Sequence, residues 1–319
     1  MTRLNLALAA ALATAMLLSL LAGKIWLPAV AWDFADPRFA IIAELRAPRI
    51  LLAAIIGAGL GISGAAMQGY LRNPLADPGL FGVSAGAALG AVCALFFGVA
   101  SATLLPLFAL VGAGVTMALL ALLGGRNPSL VLFTLAGIML SSVAGSFTAL
   151  AISLAPTPFA TVEIVLWLMG ALTDRSWDDV RLAAPLTVLG VAILATTAPG
   201  LDVLTLGETA ARSLGLDETR LRAQIVVGVG LCVGASVAAA GVIGFVGLIV
   251  PHLVRGVAGG RPSATLLPSA LGGALLLVAA DALVRAAPMA GELRLGIAMA
   301  MLGGPFFLWL LLRLRRSLA

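Results

Sequence analysis

Apolar runs of about twenty residues, each closed by glycine, proline or a charge, recur along the whole chain. A helix of that length matches a hydrocarbon layer of about 30 Å. Ten such runs are predicted as spans, near 6–27, 48–70, 80–98, 104–124, 130–153, 180–198, 222–240, 242–258, 264–284 and 295–312. The stretch VEIVLWLMGAL (162–172) is too short to span and runs into charges, so it is predicted as a short helix lying at one face. The first run is longer than the apolar core of a secretory signal and more spans follow at once, so it reads as the first transmembrane helix. The pattern predicts an all-α polytopic membrane protein, a single transmembrane domain over residues 1–319. Barrel strands would alternate polar and apolar positions instead.

One block breaks this rhythm. Glu208, Arg212, Asp217, Glu218, Arg220 and Arg222 place six charges between positions 208 and 222, in a chain with 19 basic and 14 acidic residues. Leu206, Ala210, Leu214 and Leu221 recur at near-helical spacing, and Gly207 and Gly215 punctuate them. The pattern predicts two short helices over about 205–221, joined at LGLD and lying across the membrane surface. A solvated connecting loop is the plain alternative, but a loop needs neither the apolar stripe nor the paired glycines.

Composition narrows the class further. Hydrophobic residues make up 61% of the chain and charged ones 10%, against about 25% charged in a soluble domain. The 37 glycines suit helices packed closely in lipid. Cys93 and Cys232 lie in apolar runs without a partner at metal spacing, and read as buried thiols. The net charge of +5 is not gathered into basic runs with interleaved aromatics, so no nucleic-acid partner is implied. It sets topology instead. With ten spans and both termini inside, cytoplasmic loops hold eleven basic residues and five acids, against eight and nine outside. The positive-inside rule favours cytoplasmic termini. Trp26, Trp32, Trp167, Trp177 and Trp309 fall near predicted span ends, as an interfacial belt would.

Few residues invite chemistry. In GAGLGISGAAMQGYLRNPLADPGLFGVSAGAALG (57–90), Gly57 and Gly61, then Gly82, Gly86 and Gly90, form small-residue faces around a turn broken by Asn73-Pro74 and Asp77-Pro78. That turn, at the inner mouth of two close-packed helices, is a candidate gate. The sole histidine, His252, has no clustered ligand and reads as structural. Asp281 and Arg285, four apart on a helix, read as an ion pair near the outer end, since a charge at mid-bilayer costs about 2.5–3.5 kcal/mol. Arg46 and Arg49 begin the second span on that same outer side. Three outward arginines run against the positive-inside trend, and an acidic partner protein would account for them. The only lysine, Lys24, stands in no phosphate-binding G-x-x-x-x-G-K-[ST] motif, so the chain is not itself an ATPase.

RAPR (46–49), SGAAMQ (63–68), NPLADPGLFGVSAGA (73–87), LGE with ARSLGL (206–216), GFVGLIVPHLVR (244–255) and LGGPFFLWLL (302–311) together resemble the FecCD-type permeases. These are membrane subunits of ATP-binding-cassette (ABC) importers for iron-siderophores, haem and cobalamin, and the motifs cover nearly the whole chain in the family's order. The resemblance implies the type II ABC importer permease fold with about ten helices. It also implies a second permease subunit (a homodimer), two cytoplasmic ATPase subunits that carry ATP and Mg, a periplasmic binding protein, and no cofactor in this chain. It places the protein in the bacterial inner membrane. By position, Glu208, Ala211, Arg212, Gly215 and Leu216 would belong to coupling helices seated in the ATPase. Arg46, Arg49 and Arg285 would receive carboxylates of the binding protein. Asn73, Leu75 and Leu135 would form the inner gate, and Ser141, Ser142 and Ser146 of the fifth span a mildly polar pathway wall. The segment ELRLG (292–296) departs from the family's Glu-Leu-Pro pattern at Arg294. Two other classes compete: a proton-coupled secondary transporter using Asp281, and a membrane metalloenzyme or hydrolase, against which the single histidine argues.

Overall fold

The computed structural model describes residues 2–23, 27, 36, 38–99, 101, 103–124, 130–287 and 291–318. Lys24, Trp26, Trp32 and Arg126 lie outside the described residues, as do the side chains of Arg315 and Arg316.

The predicted spans appear as helices α1 (Thr2–Leu21), α2 (Ala47–Tyr70), α3 (Val83–Phe96), α4 (Leu104–Gly124), α5 (Leu130–Ser153), α7 (Trp177–Thr196), α10 (Glu218–Ala240), α11 (Val246–Arg255), α12 (Pro262–Ala286) and α13 (Leu295–Leu318). The short facial helix appears as α6 (Pro158–Leu168), while α8 (Ala198–Leu204) and α9 (Glu208–Ser213) lie between α7 and α10. Among the described residues, eight of the ten are long and apolar enough to cross a membrane. The two shorter ones, α3 and α11, have local causes. The run before α3 is interrupted by a 3₁₀ turn, Pro78–Phe81, and by Gly82 at φ 78°. The run before α11 opens with residues 241–245 in non-helical backbone, ending at Phe245 with φ 69°.

Close backbone contact between small residues sets the core. A Cβ on Gly57 would collide with the Gly273 carbonyl, and one on Gly61 with the Ser269 carbonyl, so α2 and α12 lie antiparallel and almost touching. Gly190 against Gly228 and Cys232 joins α7 to α10, and Gly86 and Gly90 against Gly112 and Phe108 join α3 to α4. The predicted small-residue faces therefore pack helices. In the spans that contain them, α2 and α10 are each 78% buried, whereas α1 is 6% and α5 is 17% buried. The non-helical segment before α11 is also enclosed: its Val242 carbonyl lies against Gly170 and its Gly241 against the Trp167 carbonyl. Irregular backbone inside a membrane protein requires that kind of enclosure.

Helix directions define two ends. The last turns of α1 and α12 meet the first turn of α2 at one, the arginine end. The last turn of α2 meets α9 at the other, the block end. Both α1 and α13 have their terminal-side turns at the block end.

Candidate functional site

At the block end, the predicted pair of short helices takes a different form. α9 is one of them. The second is the first turn of α10, where Asp217 serves as N-cap and accepts from the Arg220 N–H at 2.9 Å. Gly207 and Gly215, at φ 96° and 84°, bracket α9 in the left-handed region that excludes most side chains. An unforeseen helix, α8, precedes the block; its Asp202 accepts from the backbone N–H of Ser263 at 2.9 Å and from its hydroxyl at 2.6 Å. That caps the first turn of α12 from a neighbouring element.

The predicted stripe does not face the core as a unit: of its four residues only Leu221 is buried, and Leu206, Ala210 and Leu214 are exposed, the core-facing positions being Ala211 and Leu216 instead. Ala211 and Leu221 are buried and Leu216 half-buried, anchoring the block to the core. Leu206 and Leu214 are 63% and 65% exposed. Arg212 donates to Glu218 at 2.9 Å, which orders the surface without covering those leucines. Glu208 meets Arg72 at 3.5 Å, and Arg72 immediately precedes Asn73. The block is thus tied to the candidate gate through one exposed ion pair.

The gate turn is built from side chains closing onto their own backbone. Asn73 Oδ1 accepts from the Leu75 N–H at 2.9 Å and Asp77 Oδ1 from the Gly79 N–H at 2.8 Å. Burial pushes the Asp77 carboxyl above the usual carboxylate range, against the pull of the Gly79 amide. The turn packs on α5: Phe81 meets Phe133 edge to face at 5.0 Å, and Tyr70 meets the same ring at 6.3 Å. Asn73, Leu75 and the start of α5 are therefore brought to one place, while Leu135 itself is exposed. Ser142 and Ser146, on the exposed face of α5, donate to the Ile138 and Ser142 carbonyls of their own helix at 3.0 Å. Both hydroxyls donate within the helix, so on this face they present acceptor lone pairs. Ser141 points instead toward the Gly79 carbonyl, at 3.5 Å.

Beside the gate, sequence reasoning missed Gln68. Pro251 has no N–H, so the Gly247 carbonyl four residues earlier lacks its helical donor. The buried Gln68 amide reaches that carbonyl at 3.3 Å and its Oε1 accepts from Arg255 at 3.0 Å. The signal was present, since a polar side chain inside an apolar run asks for a buried partner. His252 packs edge-on against Phe306 at 5.8 Å, in keeping with a structural role.

At the arginine end, the geometry corrects the picture of three outward cations. Arg49 and Arg285 are 8% and 5% exposed, and both close on Asp281, which is 1% exposed. Arg49 grips Asp281 with Nε at 2.9 Å and Nη2 at 2.8 Å, and donates Nη1 to Glu292 at 3.0 Å. Arg285 donates Nε to Asp281 at 3.0 Å, and its remaining nitrogens reach the Ala22 carbonyl and Ser19. The half-buried Arg46 donates to the Leu20 carbonyl at 2.8 Å. Two arginines therefore cap the C-terminus of α1, satisfying carbonyls that the helix leaves unpaired. The cause of the correction is the buried carboxylate: uncompensated guanidinium ions inside the fold would be costly, and Asp281 supplies the charge. A cavity of about 360 Å³ still opens beside this cluster, lined by Arg46, Arg49, Arg285, Arg175, Glu292 and Thr173 among others.

Against known proteins, a sequence model described as the FecCD transport family matches residues 11–313. The vitamin B12 import system permease protein BtuC of Vibrio cholerae is 39% identical over 300 residues, covering 93% of this chain and 89% of that protein. The cobalamin import system permease protein BtuC of Halobacterium salinarum is 40% identical over 274 residues, covering 85% and 73%. A solved structure described as an inward-facing conformation of a metal-chelate type ABC transporter superposes with a TM-score of 0.91 at 32% identity, covering 98% of this chain and 100% of that one.

Proposed function

The chain belongs to the FecCD transport family, as a permease subunit of the ABC importer type, and from that premise we propose that it admits cobalamin to the cytoplasm by ATP-driven alternating access. The observation that carries the energy-coupling part is the block end. Leu206 and Leu214 stand exposed on a segment fixed to the core by Ala211, Leu216 and Leu221, and tied by Glu208 to the gate turn. An exposed apolar pair rimmed by charges suits a protein partner, and the partner proposed is a separate ATPase subunit holding ATP and Mg. Glu208, Ala211, Arg212, Gly215 and Leu216 then form the coupling surface, and movement there reaches Asn73, Leu75 and the start of α5.

On this reading α5 lines the route, with Ser142, Ser146 and Leu135 facing it, and a second copy of the chain supplies the opposite wall. The 17% burial of α5 within one copy supports that, since it leaves a face free to meet the opposite wall. Arg46, with the rim of the cavity near Arg49 and Arg285, receives the acidic binding protein. The protein sits as a multi-pass protein in the bacterial inner membrane with both termini cytoplasmic, which agrees with the positive-inside count and with the first turn of α1 and the last turn of α13 lying at the block end.

Cobalamin is favoured over iron chelates because the two permeases at 39–40% identity carry cobalamin or vitamin B12 in their descriptions. A metal chelate is the second reading, from the solved relative. Proton coupling through Asp281 finds no support in the geometry, because that carboxylate is held by two guanidinium groups. The test is uptake in cells stripped of their own permeases and given this chain with its ATPase and binding protein. Labelled cobalamin, a ferric siderophore and haem are offered in parallel. Cobalamin uptake that is lost with Glu208→Lys is the expected result. Uptake of another ligand overturns the substrate, and uptake that persists with Glu208→Lys or without the ATPase overturns the mechanism.

A further inference from the structure

Next to the arginine-end cavity lies a smaller one of about 250 Å³, lined by Glu163, Leu166, Trp167, Ala171, Arg175 and Arg294. Two hydrogen-bond donors on residues that line it have no acceptor among the described residues. The indole Nε1–H of Trp167 and the Nε–H of Arg175 are both shielded from solvent and without an acceptor among the described residues. Neither group can accept a hydrogen bond, so an oxygen, of water or of an incoming group, is what relieves them. Arg175 is otherwise held loosely, by Asp179 at 3.5 Å. Arg294, the residue that breaks the Glu-Leu-Pro pattern, places its side chain in this cavity, and among the described residues neither it nor Glu163 forms an ion pair. With Asp179 held by Arg175 and Glu163 in the lining, two guanidinium groups meet two carboxylates, and what is left over is an excess of donors.

Planar guanidinium forks match carboxylate geometry, and the volume admits one acidic side chain with a few waters. Arg175 also lines the larger cavity that holds Arg46, Arg49 and Arg285, so the two sites share a wall. That continuity assigns the occupant to whatever docks there. We propose that the Trp167–Arg175–Arg294 cavity is a second receptor for a carboxylate of the acidic protein that docks at the arginine end. This rests on the docking reading above and adds a contact outside its three arginines. Arg294 then sets how tightly, and at what ionic strength, the permease holds its own binding protein.

The experiment uses the assembled permease and ATPase in nanodiscs of neutral phosphatidylcholine, with binding-protein affinity measured at low and high salt. Arg294→Glu is expected to weaken binding about tenfold at low salt, about 1.4 kcal/mol, and less at high salt because the contact is electrostatic. Arg294→Lys should retain most of the affinity. In parallel, the ¹⁵N-indole resonance of Trp167, assigned with Trp167→Phe, should move when the binding protein is added. Arg46→Glu serves as the reference. Should Arg46→Glu weaken binding while Arg294→Glu leaves both affinity and salt dependence unchanged, the second receptor is overturned and the docking reading stands. Should both leave affinity unchanged, the docking reading falls and takes this inference with it. A Trp167 resonance that moves on adding phosphatidylglycerol to the nanodisc, without the binding protein, assigns the site to a lipid phosphate and overturns the proposal.

Discussion

Helices α2 and α5 are each 24 residues long, apolar and free of acidic residues, yet the span containing α2 is 78% buried and that of α5 17%. Their small residues explain part of the difference. α2 presents Gly57 and Gly61 to the backbone of α12, whereas nothing lies within 4 Å of a Cβ placed on Gly145 of α5. Fastening explains more. Arg49, Asp281 and Arg285 tie α2 to α12 at the arginine end, while at the block end Asp202 of α8 holds α12 through Ser263 and Gln68 of α2 holds α11 through Gly247 and Arg255. α5 packs on one side only, from Phe133 at its start to Ala151 and Ile152 near its end, carries no charged residue to fasten it, and its serines bond only within the helix or to the turn before α3. Equal length and hydropathy therefore produce a frame in one case and an open wall in the other. A transport cycle needs both, since something must stay still for a wall to move against.

Removing the central anion of the frame should have the largest effect. Asp281→Ala leaves Arg285 buried without a counter-charge and Arg49 with Glu292 alone, for a loss of about 3–5 kcal/mol. Unfolding in detergent would show it, and an unchanged midpoint would mean that Asp281 holds nothing. Next comes the close crossing. Gly61→Ala forces a methyl against the Ser269 carbonyl and should cost about 1–3 kcal/mol. Its counterpart Gly145→Ala should fall within about 1 kcal/mol of wild type, on the stabilising side, because the site is open and alanine favours helix. Equal effects for the two glycines would erase the distinction between frame and wall. The smallest change in stability belongs to Arg72→Ala, which removes an exposed ion pair worth about 0–1 kcal/mol. Its consequence should be functional, with ATP hydrolysis retained and cobalamin uptake reduced in the reconstituted transporter.

The order of the helices could be read from run length and punctuation, and so could the exceptional character of residues 205–222. What escaped was set by distant partners or by unusual backbone. Asp281 and Glu292 reach Arg49 from 232 and 243 positions away, so an arginine beside a predicted outer boundary gave no hint of being buried. α11 is short because Phe245 adopts a positive φ, a conformation that an aromatic residue does not advertise. α8 was hidden by the apparent continuity of the preceding span, although Pro199 at its start marks a break after α7. Thr173, which donates to Glu292 at 2.8 Å, carries no local signal at all. The turn at 73–79 was legible because Asn-Pro and Asp-Pro pairs favour a turn wherever they stand.

The central claim is that ATP moves the α5 wall against a fixed α2–α12 frame. It is tested most directly by the reactivity of single cysteines with a water-soluble maleimide, in the assembled importer without nucleotide and with ATP plus vanadate. Ser146→Cys reports on the exposed face of α5 and Ser269→Cys on the buried face of α12. The account predicts a several-fold change in labelling rate at position 146 and no labelling at position 269 in either state. A constant rate at 146, or nucleotide-dependent labelling at 269, would contradict it.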